Sequence, residues 1–354
     1  MTTTLSRTPL YSEHVAAGGR IVPFAGWEMP VQYAGVIGEV KAVREAAGVF
    51  DVSHMSRCSI TGPGALASLD SVISANWSAV PVGRAAYGLT LTAGGGILDD
   101  LMGYRLGEER WDIISNASRA DVVETQLRGA LRDATYTSRA ATTMLAVQGP
   151  GSAAALEGLG LKVSGLAWRG VAELETPEGL WWVARGGYTG SDGFEVVSSP
   201  EQGVWLWGQL LAAGVTPCGL GARDVLRLEA GLPLYGHELR EAWTPAESGV
   251  GFAFKADKGE FLGRDAALRP PLRRIVALRM EGKAIPREGY PVAFAGEVIG
   301  EVTSGTLSPT LGGGIALATV TVALEVGQEI AVVVRGTPQP ARVVKRPFVP
   351  FAGR

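Results

Sequence analysis

The strongest constraint on the fold is a change of character near residue 265. Before that point apolar residues recur at both helical and strand spacing; after it only strand-like runs remain, broken by frequent Gly and Pro. The segment RDAALRPPLRR marks the junction and reads as a linker. Beyond it, Ile275 to Met280, Glu297 to Val302, Ile315 to Val322 and Ile330 to Val334 are strand candidates, and no long helix fits among them. Short strands of this kind close into a small antiparallel barrel or pack as a jelly roll, which periodicity does not separate. At 354 residues the chain exceeds what one hydrophobic core usually serves, so two or three domains are expected.

Upstream, helices and strands alternate. Val36 to Ala47 places Ile37, Val40 and Val43 at helical spacing and stops at Gly48. Ser118 precedes a second helical pattern through Val123, Leu127, Ala130 and Leu131, with Asp121 placed as in a capping box. Ser199 followed by Pro200 opens a third, carrying Val204, Trp207 and Leu211. Tyr87, Leu89 and Leu91 alternate with smaller residues before AGGG turns the chain into Ile97 through Tyr104, which predicts a hairpin. The run Trp181 to Ala184, turned by GGYTG into Phe194 to Val197, repeats the device. Strands mixed with helices and turned by short glycine loops predict an α+β fold, with residues 1–264 as the mixed region and 270–354 as the β domain.

Composition excludes several functions. A net charge of -3 without a long Lys/Arg run offers no footprint for nucleic acid. The cluster Arg269, Arg273 and Arg274 reads as a solvated linker, with a docking patch for an acidic partner as the second reading. No segment has the apolar length of a membrane span, and the N-terminus lacks the core of a signal peptide, so the cytoplasm is the expected setting. Cys58 and Cys218, without CxxC spacing, are expected as buried reduced thiols, and His14, His54 and His237 show no metal-ligand spacing. A GxSxG elbow is missing as well.

The chemistry on offer begins with Asp99 and Asp100, adjacent acids in an apolar strand beyond a glycine turn. Leu98, Asp100, Met102 and Tyr104 share one face, and Ile97, Asp99 and Leu101 the other. A carboxylate among hydrophobes has its charged form disfavoured and is the better proton acceptor for it. Taken alone, these residues also fit a turn aspartate beside one that bonds backbone amides. Arg223 and Arg227, at i and i+4 on a helix, repel unless an anion lies near, which either a structural acid or a substrate carboxylate would satisfy. Glu195, after GGYTG, offers two acceptors to an amino-substituted heterocycle or stands exposed, and Tyr188 offers a ring or a hydroxyl. His54 in FDVSHM fits a hydrogen-bonded structural histidine better than a base.

The ordered blocks FAGWEMPVQY, VREAAGVFDVSHM, GGGILDDLMGY, SNAS, VQGP, GYTGSDGFE, PCGLGARDVLRLEAGLPLYG, TSGTLSPTLG with IALA, and RPFVP make the chain resemble the T-protein, or aminomethyltransferase, family of the glycine cleavage system over nearly its whole length. The resemblance implies two mixed α/β lobes and a C-terminal barrel-like domain around a central tetrahydrofolate site. It implies a reaction in which an aminomethyl group on the lipoyl arm of H-protein is converted with tetrahydrofolate to methylenetetrahydrofolate, ammonia and dihydrolipoyl H-protein. By its motifs Asp100 is the catalytic acid, taking the folate nitrogen's proton or acting electrostatically, and Glu195 is the pterin anchor. Arg223 holds folate polar groups or its glutamyl tail; Tyr87, Tyr104, Asn116, Tyr188 and Met55 line the site; Arg354 stands where family tails vary and is a candidate for the folate tail.

His237 departs from the frequent glutamine of LYGQ and leaves these positions intact. Two relatives of the fold compete with this reading. The folate region of dimethylglycine or sarcosine dehydrogenases normally comes with a flavin domain, and no GxGxxG after a strand is found near this N-terminus. A non-catalytic folate-binding accessory protein of iron–sulfur assembly generally lacks the full set of blocks.

Overall fold

The computed structural model describes residues 4–176 and 179–352. Strands dominate it, in three sheets and one closed barrel. A short sheet joins Ser6–Arg7, Trp27–Gln32 and Arg20–Phe24. A five-stranded sheet has the order Arg84–Leu91, Ile97–Gly107, Arg110–Ser115, Ser56–Thr61, Thr135–Ser138. A six-stranded sheet runs Val171–Thr176, Gly179–Arg185, Gly193–Ser198, Thr143–Gln148, Gly48–Asp51, Thr216–Pro217. Both predicted hairpins are present: Arg84–Leu91 with Ile97–Gly107, and Gly179–Arg185 with Gly193–Ser198. In the first, AGGG is required by crowding, since a Cβ on Gly96 would lie 1.6 Å from the Glu241 carbonyl oxygen.

The predicted helices form as Val36–Glu45, Ala120–Ala130 and Pro200–Ala212. Ser199 caps the last of these, accepting from the Gln202 amide while Gln202 returns to the Ser199 amide, and Pro200 sits where its missing N–H costs nothing. The Ser118 cap does not form. The chain enters Ala120–Ala130 through a 3₁₀ turn, Ala117–Arg119, which places Ser118 inside the turn, and the helix has no side-chain cap.

Between the barrel and jelly-roll alternatives the structure takes the closed barrel, in the order Arg274–Met280, Gly313–Val320, Glu297–Ser308, Pro291–Phe294, Glu329–Val334, Thr337–Val344. The first and last strands of this order pair with each other, so no edge is left open. Its interior is aliphatic, with Leu278, Val292, Val302, Ala318, Val332 and Ala341 buried. In the junction before it, Arg264–Ala267 makes one short helix. Arg269 donates to the carbonyls of Gly94 and Ala242, and the Arg273 guanidinium lies 5.1 Å from the Trp243 ring centre, so two of the three clustered arginines are built into the fold. Cys58 and Cys218 are buried free thiols. Among the described residues no helix is long and apolar enough to cross a membrane.

The two larger sheets share a core. Ala85, Tyr104 and Ile114 of one pack with Met144, Ala146, Trp182 and Ala184 of the other, together with Val225 and Leu226 of the helix Leu220–Glu229. That helix also anchors the barrel. Glu229, fully buried, accepts from Ser308 Oγ at 2.5 Å and Thr310 Oγ1 at 2.9 Å, and pairs with Arg44 at 2.8 Å. Gly219 lets the helix start against Val31, whose carbonyl oxygen a Cβ there would approach to 2.5 Å. One helix thus touches every lobe, and the candidate site lies beside it.

Candidate functional site

The glycine-turned hairpin positions the acids. Its register slips so that Thr90 faces Asp99 and Leu91 faces Ile97, leaving Leu98 as the extra residue of a bulge directly before the two aspartates. Asp99 is wholly buried and Asp100 lies on the half-buried face, as alternation requires. Alternation nevertheless does not separate their carboxylates. Asn116, which follows the neighbouring strand Arg110–Ser115, places its side-chain nitrogen 2.8 Å from Asp99 Oδ1 and 2.7 Å from Asp100 Oδ1. Tyr87, on the other neighbouring strand, donates its hydroxyl to Asp100 Oδ2 at 3.2 Å.

Burial holds both carboxyls above the ordinary range, Asp99 the more strongly because Asp100 stands beside it. On Asp100 the Asn116 and Tyr87 hydrogen bonds work the other way, favouring the ionised form. The result is a carboxylate that has donors in place and a raised affinity for a proton, which is what a base at neutral pH needs.

A second group faces it from the six-stranded sheet. Tyr104 donates its hydroxyl to Glu195 Oε2 at 2.8 Å, and Trp182 supports the Tyr104 ring edge-on at 4.4 Å between centres. Burial pushes the Glu195 carboxyl up; the Tyr104 hydrogen bond and the Arg223 charge oppose it. Arg223 lies 4.8 Å from the Tyr188 ring centre and its Nη2 is 3.8 Å from Met55 Sδ. Its Nη1 is buried and has no hydrogen-bond partner among the described residues. A buried guanidinium nitrogen left open next to a carboxylate is costly unless a ligand acceptor fills it.

Arg227 resolves differently from Arg223. It bonds Asp224, the buried Glu238 at 3.3 Å and Ser304 Oγ at 2.9 Å, so its role is to join the helix to the barrel. His54 does not become the hydrogen-bonded histidine expected of it. It packs edge-on against Phe24 with Nδ1 unpartnered among the described residues, and burial lowers its pKa to about 4, so it is neutral at physiological pH. Tyr188 is held by its own hydroxyl, which donates to the Pro233 carbonyl. Arg354 lies outside the described residues.

Three residues at the site carried no sequence signal of their own. Phe252, 66% exposed, stacks on Tyr87 at 5.8 Å; Tyr235 faces the acids with Arg119 over its ring at 4.8 Å; Trp182 backs Tyr104. Tyr235 falls in the LYG block, so only its position in a motif marked it. A separate cleft of about 280 Å³, lined by Arg110, Asp112, Arg139, Trp182 and Ser199 among others, includes none of the acids or the Arg223 group. Its arginines are already engaged, Arg110 with Glu173 at 2.9 Å, while the Trp182 indole that lines it has a buried Nε1 without a hydrogen-bond partner among the described residues.

Residues 10–258 match the GCVT N-terminal domain, and residues 273–350 match the glycine cleavage T-protein C-terminal barrel domain. The chain belongs to the glycine cleavage T-protein family. Aminomethyltransferases of Symbiobacterium thermophilum and Streptomyces coelicolor are 45% and 46% identical to it, each comparison covering 98% of both chains. The crystal structure of glycine cleavage system aminomethyltransferase T from Bartonella henselae matches with a TM-score of 0.94 at 33% identity, covering 99% of each chain. The T-protein fold therefore extends over the mixed lobes and the barrel alike, and the T-protein motifs quoted above are the segments that supply Asp100, Asn116, Glu195 and Arg223 to one place.

Proposed function

We propose that this chain is the tetrahydrofolate-dependent aminomethyltransferase of the glycine cleavage system, a one-carbon group transferase acting in the cytoplasm on aminomethyl-lipoyl H-protein. The observation that carries the reading is convergence: residues from well-separated T-protein motifs bring together a buried acid with donors in place and a buried carboxylate under the charge of a guanidinium with an open nitrogen, and Tyr188 stands within electrostatic reach of both Asp100 and Arg223. Glu195 presents carboxylate oxygens to the amino and ring N–H groups of the pterin, and Arg223 Nη1 donates to a folate acceptor or to the glutamyl tail. Tyr87, Tyr104, Asn116, Tyr188 and Met55 line the same site. The names of the relatives favour this enzyme over a non-catalytic folate-binding accessory of iron–sulfur assembly.

In the reaction the lipoyl sulfur gives up its carbon–sulfur bond and leaves as a thiol, the carbon–nitrogen bond to the amino group breaks to release ammonia, and two new bonds join the methylene carbon to two folate nitrogens. Both folate N–H protons must therefore leave, one ending on the thiol and one on ammonia. Asp100 orients a folate nitrogen and accepts or relays its proton, or stabilises the positive charge that develops at the transferred carbon. Docking of H-protein makes the encounter effectively intramolecular, so free aminomethyl-lipoamide should turn over far more slowly than the loaded carrier. The deciding assay measures methylenetetrahydrofolate formed from glycine-loaded H-protein. Folate binding without any product would replace the enzyme reading with the accessory one.

A further inference from the structure

Asn116 is shared between two carboxylates, and that sharing has a direction. Because oxygens of Asp99 and Asp100 flank its side chain at 2.8 and 2.7 Å, the amide nitrogen and not the amide oxygen must lie between them. Asp99 holds Asn116 twice, since its Oδ2 also accepts the Asn116 backbone N–H at 3.0 Å. Both atoms of the buried carboxylate are thereby spent on one neighbour, at the point where the strand Arg110–Ser115 gives way to the 3₁₀ turn. Asp100 also takes one hydrogen bond on each oxygen, but from two different neighbours, Asn116 and Tyr87.

We propose that Asp99 is a positioning residue: it clamps Asn116 at two points, and the clamped amide fixes the Asp100 carboxylate in the orientation that meets the folate nitrogen. The inference rests on the reading of Asp100 as the group that handles the folate proton. The titratable groups around the pair are Tyr87 on the adjoining strand, Tyr188 on the glycine loop and Tyr235 in the segment packed over the hairpin. Arg119 engages Glu241 and the Leu98 carbonyl and stacks on Tyr235. The Asn116 amide is thus the nitrogen donor to Asp100, and its placement is set by Asp99.

The test compares Asp99→Asn, Asn116→Ala and the double variant in methylenetetrahydrofolate formation from loaded H-protein across pH, with Asp100→Asn in parallel. Each single change is expected to lower kcat by about 10- to 100-fold, the scale of a misplaced reacting group, with the tetrahydrofolate KM moving much less. The double variant should lose no more than the worse single one, because Asp99 acts through Asn116. In Asn116→Ala the acid limb of kcat should move to higher pH, since a donor that favours ionised Asp100 is gone. Losses that multiply in the double variant, or wild-type kcat in Asp99→Asn, would overturn the proposal. If Asp99→Asn does not fold, the Asn116→Ala limb decides by itself, and an unmoved limb overturns it. An Asp100→Asn variant that keeps turnover within about tenfold of the parent would instead sink the reading of Asp100, so the two failures are distinct.

Discussion

Replacing Asp100 by Asn separates shape from charge at the centre of the proposed reaction. Asp100 now accepts from Asn116 Nδ2 at 2.7 Å on one oxygen and from the Tyr87 hydroxyl at 3.2 Å on the other. An amide can satisfy the first with its carbonyl and point its NH₂ at Tyr87, whose hydroxyl rotates to accept. One rearranged neutral hydrogen bond costs about 1 kcal/mol, so the fold and the folate site survive. The proton acceptor does not. General-base catalysis is worth about 10²- to 10⁴-fold, or about 3–5 kcal/mol in the barrier, and kcat should fall by that factor. Single-turnover formation of methylenetetrahydrofolate, with folate affinity measured by calorimetry on the same preparation, is the assay. Turnover within about tenfold of the parent would refute the argument, as would loss of folate binding in proportion to loss of rate.

Glu195→Gln should weaken tetrahydrofolate binding by about tenfold or more while leaving the KM for H-protein in place, because an amide sets an N–H against a pterin donor; unchanged calorimetric affinity removes Glu195 from the site. Arg223→Ala and Arg227→Ala should part company. The first loses folate binding with little change in unfolding free energy; the second leaves the buried Glu238 unpaired and should cost about 3–5 kcal/mol in denaturant titration, and equal stability losses would contradict the division of labour. Unliganded Asp100→Asn should melt above the parent at pH 8. A carboxyl whose pKa is raised on folding contributes its stability below the ordinary carboxylate range and loses it as pH rises through the folded value, so the gap should close on acidification; a gap that widens in acid is the contrary result.

What could be read from residues alone was whatever depends on near neighbours. Ser199, Pro200 and Gln202 lie within one helical turn, so the start of Pro200–Ala212 is written locally, and the glycine-rich turn at 93–96, where Gly95 takes a positive φ of 77°, marks the hairpin. The strand-only character after residue 265 likewise foretold a β domain, while closure into a barrel waited on the pairing of Arg274–Met280 with Thr337–Val344. The T-protein motifs singled out Asp100, Glu195 and Arg223 as residues, without saying what each touches.

Tertiary structure decided the partners. Arg223 and Arg227 are equivalent by spacing, yet Glu238 and Ser304, brought in from the loop after the helix and from the barrel, claim Arg227 and leave Arg223 Nη1 open. Asp99 and Asp100 point to opposite faces by strand alternation, yet Asn116 from the next strand joins their carboxylates across a bulge. Ser118 has a cap's sequence setting and loses the position to the 3₁₀ turn Ala117–Arg119, whose preceding residue, Asn116, is held by Asp99. In each case the local pattern admits two outcomes, and a hydrogen bond or ion pair to a residue distant in sequence accompanies the one that forms. Periodicity carries information about which face a residue takes; it carries none about which polar atom will be waiting there.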